Sequence, residues 1–145
     1  LMDKLGEVLF WKIAMKPGRP LAYGRIGAAH FFGLPGNPVA VMMTFYQFVR
    51  EALLLLMGAS PVPAVPTFRA TCTQRLRKAP GRTEFQRGVL TPGPDGTCTV
   101  RPTGEQGSGI LKSMSEANCF IVLGDAVGNV EPGTAVDVQL LDTFE

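Results

Sequence analysis

Lys12 sits inside the apolar run VLFWKIAM, and Lys16 and Arg19 stand in the KPGRP turn that ends it. Farther on, GLPGNP (residues 33–38) closes one apolar stretch and opens another, with Asn37 where a helix N-cap belongs and Pro38 at the first helical position. A helix start leaves backbone N–H groups unsatisfied and turns the positive end of the dipole outward, so the chemistry on offer is anion binding. Ligands of open α/β sheets gather beyond the carboxyl ends of strands, which is where Lys16 and Arg19 would stand. Lys12 lies four residues before Lys16; on one extended strand both leave the same face, separated by roughly 13 Å. Two plainer accounts compete. GLPGNP supplies what any tight strand-to-helix turn needs, and Lys12 can snorkel from a strand end.

Other chemistry-bearing residues are scattered. GEQGSG (residues 104–109) offers flexible backbone and the hydroxyl of Ser108, fit either to cradle an oxyanion or to be a mobile loop. Arginines 69, 75, 77, 82 and 87 with Lys78 make a basic run that lacks interleaved aromatics beyond Phe85. A solvated strand face suits it better than a nucleic-acid surface, given a net charge of only +2. His30 is the only histidine, without a Ser or Cys motif to serve, so it reads as structural. Cys72, Cys98 and Cys119 show neither metal-ligand spacing nor an even count, which points away from zinc and disulfides and toward a cytoplasmic setting.

The elements that must position these groups can be read from apolar spacing. A chain of 145 residues with 46% apolar and 18% charged side chains can bury one core or two small ones, which excludes disorder as the main state. Residues 8–15 read as a strand covered on both faces, and 21–23 with 30–32 as a hairpin. From Pro38 to Met57 the apolar positions recur at helical spacing, predicting a mostly buried helix. Arg50 and Glu51 cut that stretch, so no segment of bilayer length and no membrane role is expected, and no signal peptide is seen. Residues 1–5 read as the last turn of a helix stopped by Gly6, as in a piece of something longer. Pro61, Pro63 and Pro66 form a connector, with one domain over 1–61 and another over 62–145. The second is predicted all-β, with strands at 68–76, 84–90, 98–101, 119–123 and 134–141 and one short helix within 112–118.

The ordered set WKIAMKPGRP, FFGLPGNPV, PGRTEFQRG, GEQGSG and NCFIVL resembles the molybdopterin molybdenumtransferases, a family that takes in the bacterial MoeA proteins and the E domain of gephyrin. The resemblance covers practically the whole chain and is to the C-terminal half of that family. It implies the C-terminal part of a three-layer α/β molybdopterin-binding domain followed by a small β-barrel-like (β-clip) domain. It further implies insertion of molybdenum from molybdate into adenylylated molybdopterin with release of AMP. Mg2+ would assist, held by acidic residues upstream of Leu1, so that this stretch alone would be inactive.

Carried over by motif, the catalytic residues are Lys12, Lys16, Arg87 and Ser108. Those that bind the pterin cofactor are Lys16, Arg19, Pro20, Pro35, Gly36, Asn37 and Pro38. The resemblance also implies a cytoplasmic homodimer and a molybdopterin adenylyltransferase as a candidate partner, with no nucleic acid involved. A non-catalytic, oxyanion-binding scaffold of the gephyrin kind is the alternative. Oxyanions call for desolvated cations and N–H donors rather than a nucleophile with a base, which agrees with the residues present. Two positions depart from the family pattern: Arg19 stands where a lysine is common, and Ala40 where a serine is common. Arg87 is expected at the surface, facing the oxyanion.

Overall fold

The computed structural model describes residues 7–104, 106–107 and 111–141. The expected helical turn at 1–5 with its Gly6 stop, and Ser108 in the glycine loop, lie outside these residues. The chain divides into two compact units, Leu1–Pro63 and Ala64–Glu145.

In the first unit, strands β1 (Glu7–Lys12), β3 (Pro20–Ile26) and β4 (Ala29–Gly33) form an antiparallel sheet in the order β1-β3-β4. Lys12 stands opposite Pro20, and Tyr23 opposite Phe32. The β3–β4 pair is the expected hairpin. The apolar run 8–15 is not one strand, because β1 stops at Lys12 and a separate two-residue strand, β2 (Met15–Lys16), follows a bend at Ala14. The Ile13 N–H donates to the Arg19 carbonyl at 2.9 Å, which folds KPGRP back on the end of β1. Lys12 and Lys16 therefore do not share the face of a single strand.

A helix follows from Pro38 to Leu56, built of α1 (Pro38–Thr44), a π-helical turn (Phe45–Val49) and α2 (Arg50–Leu56). The pitch changes beside Thr44, whose hydroxyl donates to the carbonyls of Ala40 (2.8 Å) and Val41 (3.0 Å). Such back-bonding competes with the backbone ladder and bends helices. Val39, Ala40, Met43, Thr44 and Val49 are buried, whereas α2 buries none of its residues. Leu55 and Met57 are 62% and 81% exposed. The expectation of a mostly buried helix thus holds only for its first half. Pro38–Leu56 is also long and apolar enough, by length and composition alone, to cross a membrane, which corrects the expectation that no segment reaches that length.

The second unit is a closed barrel. Strands β5 (Thr67–Cys72), β6 (Thr83–Pro92), β7 (Cys98–Pro102), β8 (Cys119–Leu123) and β9 (Ala135–Leu140) run in the order β6-β7-β5-β9-β8, and β8 pairs back onto β6. All pairs are antiparallel except β5 with β7. One strand serves both ends of the closure: β6 pairs β8 through residues 84–88 and β7 through residues 88–92. The core gathers Ala70, Cys72, Leu76, Val100, Cys119, Ile121, Leu123, Val130, Val136 and Val138. Closure demands glycine at 88, because a Cβ there would lie 2.9 Å from Ile121 Cγ1 and 3.1 Å from the Cys119 sulfur. Helix α3 (Leu111–Glu116) overlaps the predicted stretch 112–118 and ends two residues before it does.

Candidate functional site

In the first unit the KPGRP turn packs, through Gly18, on the helix that follows GLPGNP. The Gly18 φ of +99° suits glycine, and a Cβ there would lie 2.7 Å from Thr44 Cγ2 and 3.4 Å from the Ala40 carbonyl oxygen. The KPGRP turn therefore lies against the first two turns of the helix that follows GLPGNP. Lys12, Lys16, Arg19, Pro20, Gly36 and Pro38 are exposed, and Pro35 and Asn37 are half-buried. Asn37 occupies the N-cap position in extended conformation with Pro38 next to it, but its side chain makes no capping bond to the helix. The turn that carries Lys16 and Arg19 thus touches the helix at Ala40 and Thr44. Exposed ammonium and guanidinium groups are the donors that oxyanions call for. Ala40 is 4% exposed, so its Cβ points into the unit's interior and not toward solvent.

In the second unit Arg87 is not the surface residue expected. It is 1% exposed, among the largest fully buried side chains. Its Nε donates to Ser113 Oγ at 2.7 Å and its Nη2 to the Gly107 carbonyl at 3.1 Å. Burial alone pulls the guanidinium below its ordinary pKa. The FQRG arginine thereby ties α3 and the glycine loop to β6.

Sequence reading missed two carboxamides that work beside it. Gln106 accepts the Arg87 N–H on Oε1 (2.8 Å) and donates from Nε2 to the carbonyls of Arg87 (3.1 Å) and Thr103 (2.5 Å). Asn118 does the same three residues on, accepting the Leu90 N–H (2.7 Å) and donating to the Leu90 carbonyl (3.0 Å). In both places the neighbouring strand has run out, β7 at Pro102 and β8 before Cys119, so a side-chain amide supplies the missing rung of the ladder. The one available signal was a carboxamide at a strand border, in GEQGSG and in NCFIVL.

The basic run does not form a uniform solvated face. Arg69 pairs with Asp137 directly across the β5–β9 ladder at 3.0 Å, and Arg75 with Glu131 at 3.1 Å. Lys78 is 6% exposed and its Nζ donates to the carbonyls of Val127 (2.7 Å), Ala79 (3.3 Å) and Asp125 (3.5 Å). Arg77 and Arg82 remain exposed. His30 accepts or donates a 2.8 Å bond with the Tyr23 hydroxyl and stacks on its ring. The three cysteines are free thiols. Among the described residues no three His, Cys, Asp or Glu side chains come together as a metal site.

A small antiparallel sheet and one helix, followed in the chain by a closed five-stranded barrel, are shared with solved molybdopterin-biosynthesis proteins. The MoeA protein of Pyrococcus horikoshii OT3 aligns with a TM-score of 0.73 and 28% identity, over 92% of this chain and 32% of its own. A molybdenum cofactor biosynthesis protein of Pyrococcus furiosus aligns with a TM-score of 0.72 and 32% identity, over 93% of this chain and 46% of its own.

The family described as MoeA C-terminal region (domain IV) matches residues 69–141, and that described as a probable molybdopterin binding domain matches residues 1–55. The chain belongs to the MoeA family. Among curated relatives, the molybdopterin molybdenumtransferase of Haemophilus influenzae is 43% identical over 139 residues, 96% of this chain and 34% of that protein. Molybdopterin molybdenumtransferase 2 of Mycobacterium tuberculosis is 34% identical over 131 residues, 90% of this chain and 31% of that protein. The chain thus spans about a third of the length of these relatives.

Proposed function

We propose that this chain forms part of a molybdopterin molybdenumtransferase, which inserts molybdenum from molybdate into adenylylated molybdopterin and releases AMP. The observation that carries the reading is the packing of Gly18 on Ala40 and Thr44, which puts the exposed cations Lys16 and Arg19 on the turn that touches the helix opened by GLPGNP. Molybdate and the phosphorylated pterin are both oxyanions, and such a site acts by charge neutralisation and positioning.

In this reading Lys16, Arg19, Pro20, Pro35, Gly36, Asn37 and Pro38 bind the nucleotide-linked pterin, and Lys12 adds charge at the end of β1. In the barrel, Arg87 and Ser108 serve molybdate, Arg87 by way of the loop it holds. The ligands of Mg2+ belong to the part of the relatives that this chain does not span. A cytoplasmic homodimer, with a molybdopterin adenylyltransferase as partner, completes the proposal.

Complementation tests it. A full-length gene containing this segment should restore molybdoenzyme activity to a strain lacking its own molybdenumtransferase, and Lys16→Ala should abolish the rescue. Failure despite soluble expression of the unaltered protein would assign the chain to the non-catalytic, oxyanion-binding class instead.

A further inference from the structure

We infer that Thr44 is a positioning residue: its γ-methyl is the seat that sets the KPGRP turn, and with it Lys16 and Arg19, against the helix. The inference rests on the proposed pterin-binding role of those two cations. Gly18 lies between them in the chain and is buried, while both of them are exposed. The turn therefore gives its backbone to the helix and its charges to solvent. At its base the Ile13 N–H closes on the Arg19 carbonyl at 2.9 Å. At Gly18 it meets three atoms, which an added Cβ would find at 2.7 Å (Thr44 Cγ2), 3.4 Å (the Ala40 carbonyl oxygen) and 3.6 Å (Met15 Cε). Ala40 contributes backbone and Met15 a flexible thioether, so the stiff side chain at the contact is that of Thr44.

Both branches of that side chain are engaged. The hydroxyl donates to the carbonyls of Ala40 at 2.8 Å and Val41 at 3.0 Å, and the methyl faces Gly18. A β-branched residue in a helix has few rotamers, and the hydroxyl bonds hold one of them, which fixes the place of the methyl. The helix passes into its π-helical turn at the very next residue, and such turns recur at functional sites. Lysine and arginine side chains have many rotamers, so what the fold can set is where their backbone starts. A turn that shifts on its seat moves Lys16 and Arg19 together, and a misplacement of about 1 Å can cost about 10²-fold in rate.

The test uses the full-length protein that contains this chain, with amide hydrogen exchange, the thermal midpoint, and kcat and KM for adenylylated molybdopterin as readouts. Thr44→Ser keeps the hydroxyl and removes the methyl. It should speed exchange at the Ile13 amide and raise KM by about tenfold with kcat within about twofold, the split that marks lost binding and not lost chemistry. Thr44→Val has one strongly preferred helical rotamer, keeps a methyl at the seat and should retain the wild-type KM. Val49→Ala hollows the same helix at a buried residue five positions beyond Thr44. It should lower the thermal midpoint and leave KM unchanged, because unfolding removes active molecules and not affinity. Gly18→Ala lifts the turn off the same seat from the other side and supplies the same KM test should Thr44→Ser fail to fold.

An unchanged KM in folded Thr44→Ser would overturn the inference, as would unchanged exchange at Ile13. An equal rise of KM in Thr44→Val would show that the methyl is not the seat, and an equal rise in Val49→Ala would reduce Thr44 to a structural residue; either result overturns it as well. A wild-type protein that turns over no adenylylated molybdopterin would instead remove the functional reading. Exchange at Ile13 needs no substrate and would still decide whether Thr44 seats the turn.

Discussion

Gly18 and Thr44 are in contact across the first unit: a single added carbon at Gly18 would come within 2.7 Å of Thr44 Cγ2. The contact explains both residues. Position 18 needs a φ of +99° and space for nothing beyond hydrogen, while Thr44, fully buried, turns its hydroxyl back onto the helix and its methyl toward the turn.

Gly18→Ala is accordingly expected to be costly twice over, once for the left-handed backbone and once for the clash, together about 2–3 kcal/mol. At about 2–4 °C per kcal/mol for a chain of this size, the thermal midpoint should drop by about 4–12 °C. Gly18→Ala combined with Thr44→Ser removes the clashing methyl and should recover part of the loss; differential scanning calorimetry of the four proteins gives the coupling. A full recovery would show that backbone strain at residue 18 contributes nothing.

Lys78 holds two loops of the barrel by donating to three backbone carbonyls at once. Lys78→Met keeps the apolar stem and leaves the Val127 carbonyl without its 2.7 Å donor. Val127 is 38% exposed, so water can replace the lost donor and the cost should be about 0.5–1.5 kcal/mol. Urea unfolding should show a lower midpoint with an unchanged slope, since the surface exposed on unfolding stays the same. By contrast Arg69→Ala should cost less than about 1 kcal/mol, because both members of its pair are exposed, 64% and 47% by side chain.

The strands of the barrel were legible because each is a short apolar run between Pro-Gly or Asp-Gly turns, and the five observed strands fall on the five predicted ones with shifts of a few residues. The KPGRP turn and the helix start at Pro38 were legible for the same local reason: helix starts and turns are written in adjacent residues. What could not be read is whatever depends on contacts distant in sequence. Arg87 looked like a surface cation because nothing in FQRG announces that Ser113 and Gly107, far along the chain, will enclose it. Lys78 joined a basic run on paper and a carbonyl cage in space. Apolar spacing marks the helix as buried but does not say what covers it, and α2 presents Leu53, Leu55 and Leu56 to solvent. VLFWKIAM broke at Ile13–Ala14 because the return of Arg19 to the Ile13 N–H takes priority over extending the strand.

The three thiols should separate by reactivity. Burial in the barrel core pushes the Cys119 thiol up to about 11, against an ordinary 9.0. Cys119 and Cys72 are fully buried, whereas Cys98 is half-exposed. Iodoacetamide at neutral pH should label Cys98 in the native protein and reach the other two only on unfolding, as peptide mass mapping would show. The folded value of Cys119 lies above the unfolded one, so its contribution to stability is complete below about pH 9 and is lost as pH rises toward 11. Cys119→Ala should flatten that alkaline decline in a pH series of unfolding curves; an unchanged decline would place its origin elsewhere.

Arg87→Lys separates charge from geometry. Lysine retains the positive charge but offers no planar fork, so it cannot serve Ser113 Oγ and the Gly107 carbonyl as the guanidinium does. If charge alone mattered, the lysine variant would behave as wild type. The buried setting argues otherwise: a 1% exposed cation with its hydrogen bonds disrupted carries a desolvation cost that nothing offsets. The variant should lose about 2–4 kcal/mol of stability, and α3 should fray, seen as faster exchange across residues 111–116. Arg87→Met, of similar length and without charge, should be less destabilised than Arg87→Lys, because an apolar group tolerates the dry site that an unsatisfied ammonium does not. Molybdate binding should fall in both variants. A lysine variant as stable as wild type would show that water reaches residue 87 and that the guanidinium's fixed bonds are dispensable.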